Sequence, residues 1–187
     1  MKLLAYEVDK RPFLGVFNEN ETWAYPISAA GMEYRSMKDL IREAGPSEME
    51  MLDYISKKAP GDVTGAAPVE EIRIVSPIPE PDQDIICLGI NYMDHAAESA
   101  RFQKEEFARP EKAIYFSKRV NRTNDPDGII PAHKNLTNQL DYEAELAVII
   151  KKDAKDVKPE EVKDYIFGYT IMNDVSAREV QTEHKQW

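Results

Sequence analysis

The chain has one cysteine, Cys87, in 187 residues, so no disulfide can form within it. Its start, Met1 to Asp9, carries too short an apolar run for a signal peptide. No stretch approaches the ~20 apolar residues of a membrane span. Basic residues are in the minority, with 24 Lys and Arg against 34 Asp and Glu, for a net charge of −10. That balance argues against nucleic acid or an anionic membrane as the main partner. An anionic substrate stays open, because a bound cation reverses the local field. There is no internal repeat and no low-complexity tract. These absences leave a cytoplasmic protein as the expectation.

The hydrophobic fraction of 42% is enough for a packed core. The length suits one domain, or one domain with a small appendage. Residues 2–8, 12–18 and 22–26 read as short strands, with a turn over Asn18 to Glu21. Two helices are expected next. Ser36 caps the first and Gly45 ends it. Ser47 and Glu50 have capping-box spacing for the second, which carries Met49, Leu52 and Ile55 at helical intervals. A strand over 71–75 is followed by Ser76-Pro77-Ile78-Pro79-Glu80-Pro81, whose alternate prolines favour an extended linker. The expected organisation is therefore a small N-terminal α/β domain over 1–76 and a second domain over 77–187. In the second part, strands are expected over 84–88, 113–117, 142–150 and 167–172. Pro159 opens a short helix, and Ser176 with Glu179 offers a capping box for the last one.

Three constellations carry possible chemistry. In Asp141-Tyr142-Glu143-Ala144-Glu145-Leu146-Ala147-Val148-Ile149-Ile150, strand alternation puts Glu143 and Glu145 on one face with Ala147 and Ile149. A strand apolar on both faces is usually buried on both. Two like charges entering a buried face cost several kcal/mol unless neutralised, which a divalent cation would do. Carboxylate ligands suit a hard ion such as Mg²⁺, Mn²⁺ or Ca²⁺. The same pattern also fits a strand whose first half is solvated.

At Asn173-Asp174 a β-rich run stops and a helix begins, so Asp174 is a candidate third carboxylate. Arg178 and Gln181 share a face of that helix, and their donors suit a carboxylate or carbonyl oxygen. A plain turn followed by a surface helix explains the residues equally. His95 and Glu98 lie at i, i+3 on an expected helix after Tyr92. A histidine oriented by a carboxylate makes a good general base, and an incidental surface pair is the alternative. His133 and His184 read as surface residues.

Taken together, LGINYMDHAAE, DYEAELAVII and GYTIMNDVSAREVQ, in that order, resemble the signature of the fumarylacetoacetate hydrolase family. Ile114-Tyr115-Phe116-Ser117-Lys118 fits the family's strand and lysine. The resemblance covers roughly residues 72–187. It implies an α+β fold built on a β-rich mixed-sheet roll, commonly dimeric. It implies that Glu143, Glu145 and Asp174 are metal ligands, usually for Mg²⁺ or Mn²⁺. His95 and Glu98 would be the catalytic pair on a lid-like helix, and Tyr92, Lys118, Arg178 and Gln181 would face the substrate. Members hydrolyse carbon–carbon bonds in acylpyruvates, decarboxylate oxaloacetate-like acids, or isomerise and hydrate related dienoates. The expected partner is a small keto acid. In this family the chain continues past the position of Trp187 with a glycine-lysine pair, so the sequence is expected to be the N-terminal portion of a member. A metal-binding fragment without catalysis is the non-enzymatic alternative.

Overall fold

The computed structural model describes residues 1–89, 91–92 and 112–185. The chain divides into two compact units. One contains Met1–Pro79, Asn124–Pro131 and Tyr142–Val175; the other contains Glu80–Thr123, Ala132–Asp141 and Ser176–Trp187. The first unit runs without a break from Met1 to Pro79 and also takes in residues 124–131 and 142–175, which the sequence alone assigns to the second part.

The first unit is built on a five-stranded antiparallel sheet in the order β4-β3-β2-β1-β5. Its strands are β1 (Leu3–Val8), β2 (Arg11–Phe17), β3 (Trp23–Pro26), β4 (Ala67–Pro68) and β5 (Arg73–Val75). Asp9 and Lys10 both have positive φ, 49° and 65°, as the two-residue turn between β1 and β2 requires. Gly15 of β2 sits against β3, where a Cβ would stand 2.6 Å from the Tyr25 carbonyl oxygen and 2.8 Å from the Tyr6 ring. Only glycine lets the backbone and the Tyr6 ring approach so closely.

Helices α1 (Met37–Glu43) and α2 (Pro46–Ser56) supply Leu40, Ile41, Leu52 and Ile55 to a core shared with Val16, Tyr25, Ile27 and Val63. Ser36 caps α1 as expected, its hydroxyl accepting from the Asp39 N–H at 3.1 Å. The junction between the helices differs from the expectation. α1 ends at Glu43, and Gly45 is the N-cap of α2. Pro46 takes the first helical position, which suits its missing N–H and fixed φ. This moves the reciprocal contact to Glu48, whose carboxylate accepts from the Gly45 N–H at 2.8 Å.

In the same unit β9 (Ala144–Ile150) pairs with β10 (Ile166–Asn173) as an antiparallel ribbon. Ile149 and Phe167 pack against the core just described. The other face is open. Leu146, Val148, Ile150, Tyr169 and Ile171 are exposed. Of the two readings open for β9, burial on both faces does not hold, since its Leu146 face is exposed. Arg73 ties the 124–131 segment to β5, bridging Glu7 at 3.0 Å and Asp125 at 2.8 Å. The Ser76 N–H adds a bond to Asp125 at 3.0 Å.

The second unit holds the ribbon of β6 (Ile85–Gly89) and β7 (Ile114–Lys118), and the short pair of β8 (Leu140–Asp141) and β11 (Ser176–Ala177). It also holds α3 (Arg178–His184). Ser176 and Glu179 do not form the expected capping box. Ser176 is a buried member of β11, and Ala177 is the N-cap of α3 without a side-chain bond. Pairing with Asp141 takes Ser176 into the sheet, and Glu179 finds partners elsewhere. The fold is α+β, and every strand pairing among the described residues is antiparallel. Among them, no helix is long and apolar enough to cross a membrane.

Candidate active site

Alternation along β9 places the two glutamates as the sequence indicates. Glu143, Glu145, Ala147 and Ile149 are half-buried, while Tyr142, Ala144, Leu146, Val148 and Ile150 are exposed. The face that carries the charges is therefore the one that meets the core at Ile149. Asp174 follows the end of β10, and the register pairs Met172 with Glu145 and Asn173 with Ala144. The Asp174 N–H continues the ladder by donating to the Glu143 carbonyl oxygen at 2.8 Å. The Glu143 N–H donates in turn to the Asn173 side-chain oxygen at 3.3 Å. Three carboxylate-bearing residues thus stand at one end of one ribbon, with two of them joined directly through the main chain.

All three side chains offer hard oxygen donors of the kind that suits Mg²⁺ or Mn²⁺. In type and backbone placement they fit such an ion. Their side chains are not drawn together: among the described residues, no three His, Cys, Asp or Glu are gathered closely enough to hold a metal. A cleft of about 400 Å³ in the same unit, lined by Val69, Arg73, Ile74, Pro126, Asp127 and neighbours, includes none of these carboxylates. Arg73, one of its charged lining residues, is already engaged by Glu7 and Asp125.

In the second unit the polar side chains of α3 form an ordered array. The Arg178 Nε and Nη2 both lie 2.9 Å from Asp141 Oδ2. Its Nη1 donates to Gln181 Oε1 at 3.2 Å. Glu179 faces a different partner. Its Oε2 accepts from the buried Thr137 hydroxyl at 2.8 Å and from the Asn138 N–H at 2.7 Å. The bond from the Asn138 backbone, then that from Thr137, hold the Glu179 carboxyl below its ordinary range.

Lys118 ends β7 opposite Ile85 and is half-buried, and Tyr92 is exposed. His95 and Glu98 lie outside the described residues. His133 and His184 are exposed, as read from the sequence. Sequence reasoning passed over Asp141 and the structural use of Asn173. Asp141 meets Arg178 across 37 positions, a separation that leaves no local pattern. Asn173 gave only a turn signal.

A family model described as "Fumarylacetoacetate (FAA) hydrolase C-terminal" matches residues 84–187. Among curated relatives, the chain is 40% identical over 132 residues to the oxaloacetate tautomerase YisK of Bacillus subtilis, covering 70% of this chain and 42% of that protein. Among solved structures, a fumarylacetoacetate hydrolase from Exiguobacterium antarcticum superposes with a TM-score of 0.70 at 30% identity, with coverage of 100% of this chain and 60% of the other. A maleylpyruvate hydrolase from Sphingobium sp. SYK-6, solved with manganese(II) and pyruvate, shares the fold with a TM-score of 0.60 at 23% identity; 95% of this chain covers 60% of that one. The chain therefore spans less than two thirds of the length of these relatives, from 42% to 60%.

Proposed function

This chain belongs to the fumarylacetoacetate hydrolase family, and from that premise we propose that it carries the metal-ligand segment of a divalent-metal-dependent enzyme acting on an acylpyruvate or related keto acid. The reaction we assign is hydrolysis of a carbon–carbon bond or decarboxylation. The observation that supports it most is the half-buried, core-side placement of Glu143 and Glu145 with Asp174 tied to Glu143 through the main chain. Glu143, Glu145 and Asp174 would hold Mg²⁺ or Mn²⁺, and manganese in the maleylpyruvate hydrolase structure supports that choice of ion. When bound, such an ion supplies Lewis-acid stabilisation of the charge that develops on a keto oxygen.

The chain's own residues take the remaining roles in this reading. Arg178 and Gln181 bind the substrate's carboxylate through N–H donors. Lys118 and Tyr92 add a cationic and a hydroxyl contact. His95 and Glu98 are the pair assigned to move the proton or activate water. The tautomerase name of the B. subtilis relative supports a second reading, keto–enol isomerisation. It needs the same proton carrier and the same stabilised oxygen but no carbon–carbon bond cleavage. On the family resemblance we also infer a cytoplasmic location and a homodimer.

The test is to incubate the protein and a Glu145→Gln variant with Mn²⁺ and acetylpyruvate or oxaloacetate. Enol absorbance would be followed together with pyruvate release. Metal-dependent pyruvate formation lost in the variant supports cleavage. Metal-dependent loss of enol signal without pyruvate supports isomerisation. No metal-dependent change with either substrate sinks both.

A further inference from the structure

We propose that Asp141 is a positioning residue, which locks the Arg178 guanidinium and through it turns the Gln181 amide so that its NH₂ group faces outward. The proposal rests on the substrate-binding role given to Arg178 and Gln181 above, and deepens it.

Main-chain bonds hold both ends of the Asp141–Arg178 pair. Ser176 pairs with Asp141 and Ala177 with Leu140 in the β8–β11 ladder. The next residue continues it, the Arg178 N–H donating to the Gln139 carbonyl at 2.9 Å. The segment before Asp141 is fixed separately. Glu179 accepts from Thr137 and Asn138, and the Gln139 N–H donates to the Thr137 hydroxyl oxygen at 3.0 Å. The two α-carbons are thus held from both sides by bonds other than the Asp141–Arg178 contact itself.

With the backbone held, Asp141 Oδ2 receives the Nε–H at 2.9 Å, and Nη2 of the same guanidinium lies 2.9 Å from that oxygen. Two donors on one oxygen fix the plane of the guanidinium, not merely its position. The side chains are 47% and 32% exposed, so an ion pair of this kind adds little stability. What it adds is orientation.

Orientation passes to Gln181 by the chemistry of its amide. A guanidinium has only donors, so the Gln181 group at 3.2 Å from Nη1 must be its oxygen. The amide nitrogen then points away with its two N–H donors. A ligand meeting Gln181 in this state must present acceptors, such as a carboxylate or a ketone oxygen, and one that presents only donors is rejected. Asp141 in this way sets the polarity of a group it does not touch.

Oxalate, a dicarboxylate that chelates divalent metals as a 2-keto acid enolate does, serves as the probe. Its affinity is measured by calorimetry with Mn²⁺ present, for the 187-residue chain and for Asp141→Asn, Arg178→Lys and the double variant, beside Mn²⁺ affinity alone. Asp141→Asn is expected to weaken oxalate about tenfold while leaving Mn²⁺ affinity and melting temperature unchanged. In the Arg178→Lys background it should add nothing, because Asp141 acts through Arg178. An unchanged oxalate affinity in Asp141→Asn, or an equal further loss in the double variant, overturns the proposal. Should the unaltered chain bind neither Mn²⁺ nor oxalate, the functional reading fails and nitrogen-15 spectra decide the positioning question. A slowly exchanging Arg178 Nε–H and Gln181 amide protons displaced from their free-glutamine positions, both lost in Asp141→Asn, support it. Survival of either in that variant overturns it.

Discussion

Asp174 and Glu143 are joined by a main-chain bond of 2.8 Å, from the amide of one to the carbonyl of the other. Two acidic residues 31 positions apart in sequence are thereby neighbours at one end of the β9–β10 ribbon. That bond is made by main-chain atoms and uses neither carboxylate group. Calorimetry should show one saturable Mn²⁺ site, lost in Glu145→Gln. At an ion concentration about a hundred times Kd, binding should stabilise the fold by about 2.7 kcal/mol. A chelator should reverse that gain. An equal Mn²⁺ response in the variant would remove Glu145 from the ligand set.

Asn173 accepts the Glu143 N–H through its side chain, which steadies the start of the acidic segment. Asn173→Ala should weaken Mn²⁺ about tenfold, the usual scale for a group that orients a ligand. The cost in stability should be about 1 kcal/mol, one ordinary hydrogen bond. Calorimetry and urea unfolding check the two separately. A stability loss with Mn²⁺ affinity intact would leave Asn173 only a structural role.

Gly15 is confined by the Tyr25 carbonyl and the Tyr6 ring. Gly15→Ala should therefore destabilise the first unit by about 1–3 kcal/mol, as overpacking does. Neither contact can give way cheaply, because one is strand backbone and the other a buried ring. Chemical denaturation of the variant measures this. A neutral result would mean that β2 and β3 can shift apart.

The Glu179 carboxyl titrates below its ordinary value because its charged form accepts from Asn138 and Thr137. A lowered folded-state pKa contributes stability that is present above the unfolded value, about 4.3, and is lost as pH falls through the lower folded value. The 137–139 segment and α3 should therefore loosen in acid below about pH 4.3. Amide exchange at Asn138 reads this directly. In Glu179→Gln the acid dependence at Asn138 should disappear, and an unchanged profile would assign the loosening to another group.

Tyr6, buried in the sheet, has its hydroxyl pushed up to about 12 by loss of solvent. A raised pKa contributes stability that is complete below the unfolded value, about 10, and is lost as pH rises towards the folded one. Absorbance of tyrosinate should show this group ionising late, together with alkaline unfolding. Tyr6→Phe should diminish that late step without removing it, because the bond to Glu48 also pushes the Tyr34 hydroxyl up to about 12; an undiminished step would take Tyr6 out of it.

Much of this was legible in the chain itself. Alternation alone put Glu143 and Glu145 on the face of Ile149, because successive strand side chains point to opposite sides whatever surrounds them. The three ordered segments around these residues marked the family. Helix ends were less legible. Ser47 with Glu50 and Ser176 with Glu179 both had capping-box spacing, yet Pro46 began its helix earlier and β11 took Ser176 into a sheet. Spacing cannot say which of two local bonding schemes packs better.

Sequence by itself determined the period of each strand, the carboxylate chemistry of the candidate ligands and the want of a disulfide, since these depend on residue type and near neighbours. Only the tertiary structure decided that Asp174 is bonded to Glu143, that Asp141 reaches Arg178, and that the Leu146–Ile171 face of the ribbon is exposed. Those facts depend on which distant strands pair and in what register, and pairing is settled by the packing of the whole chain.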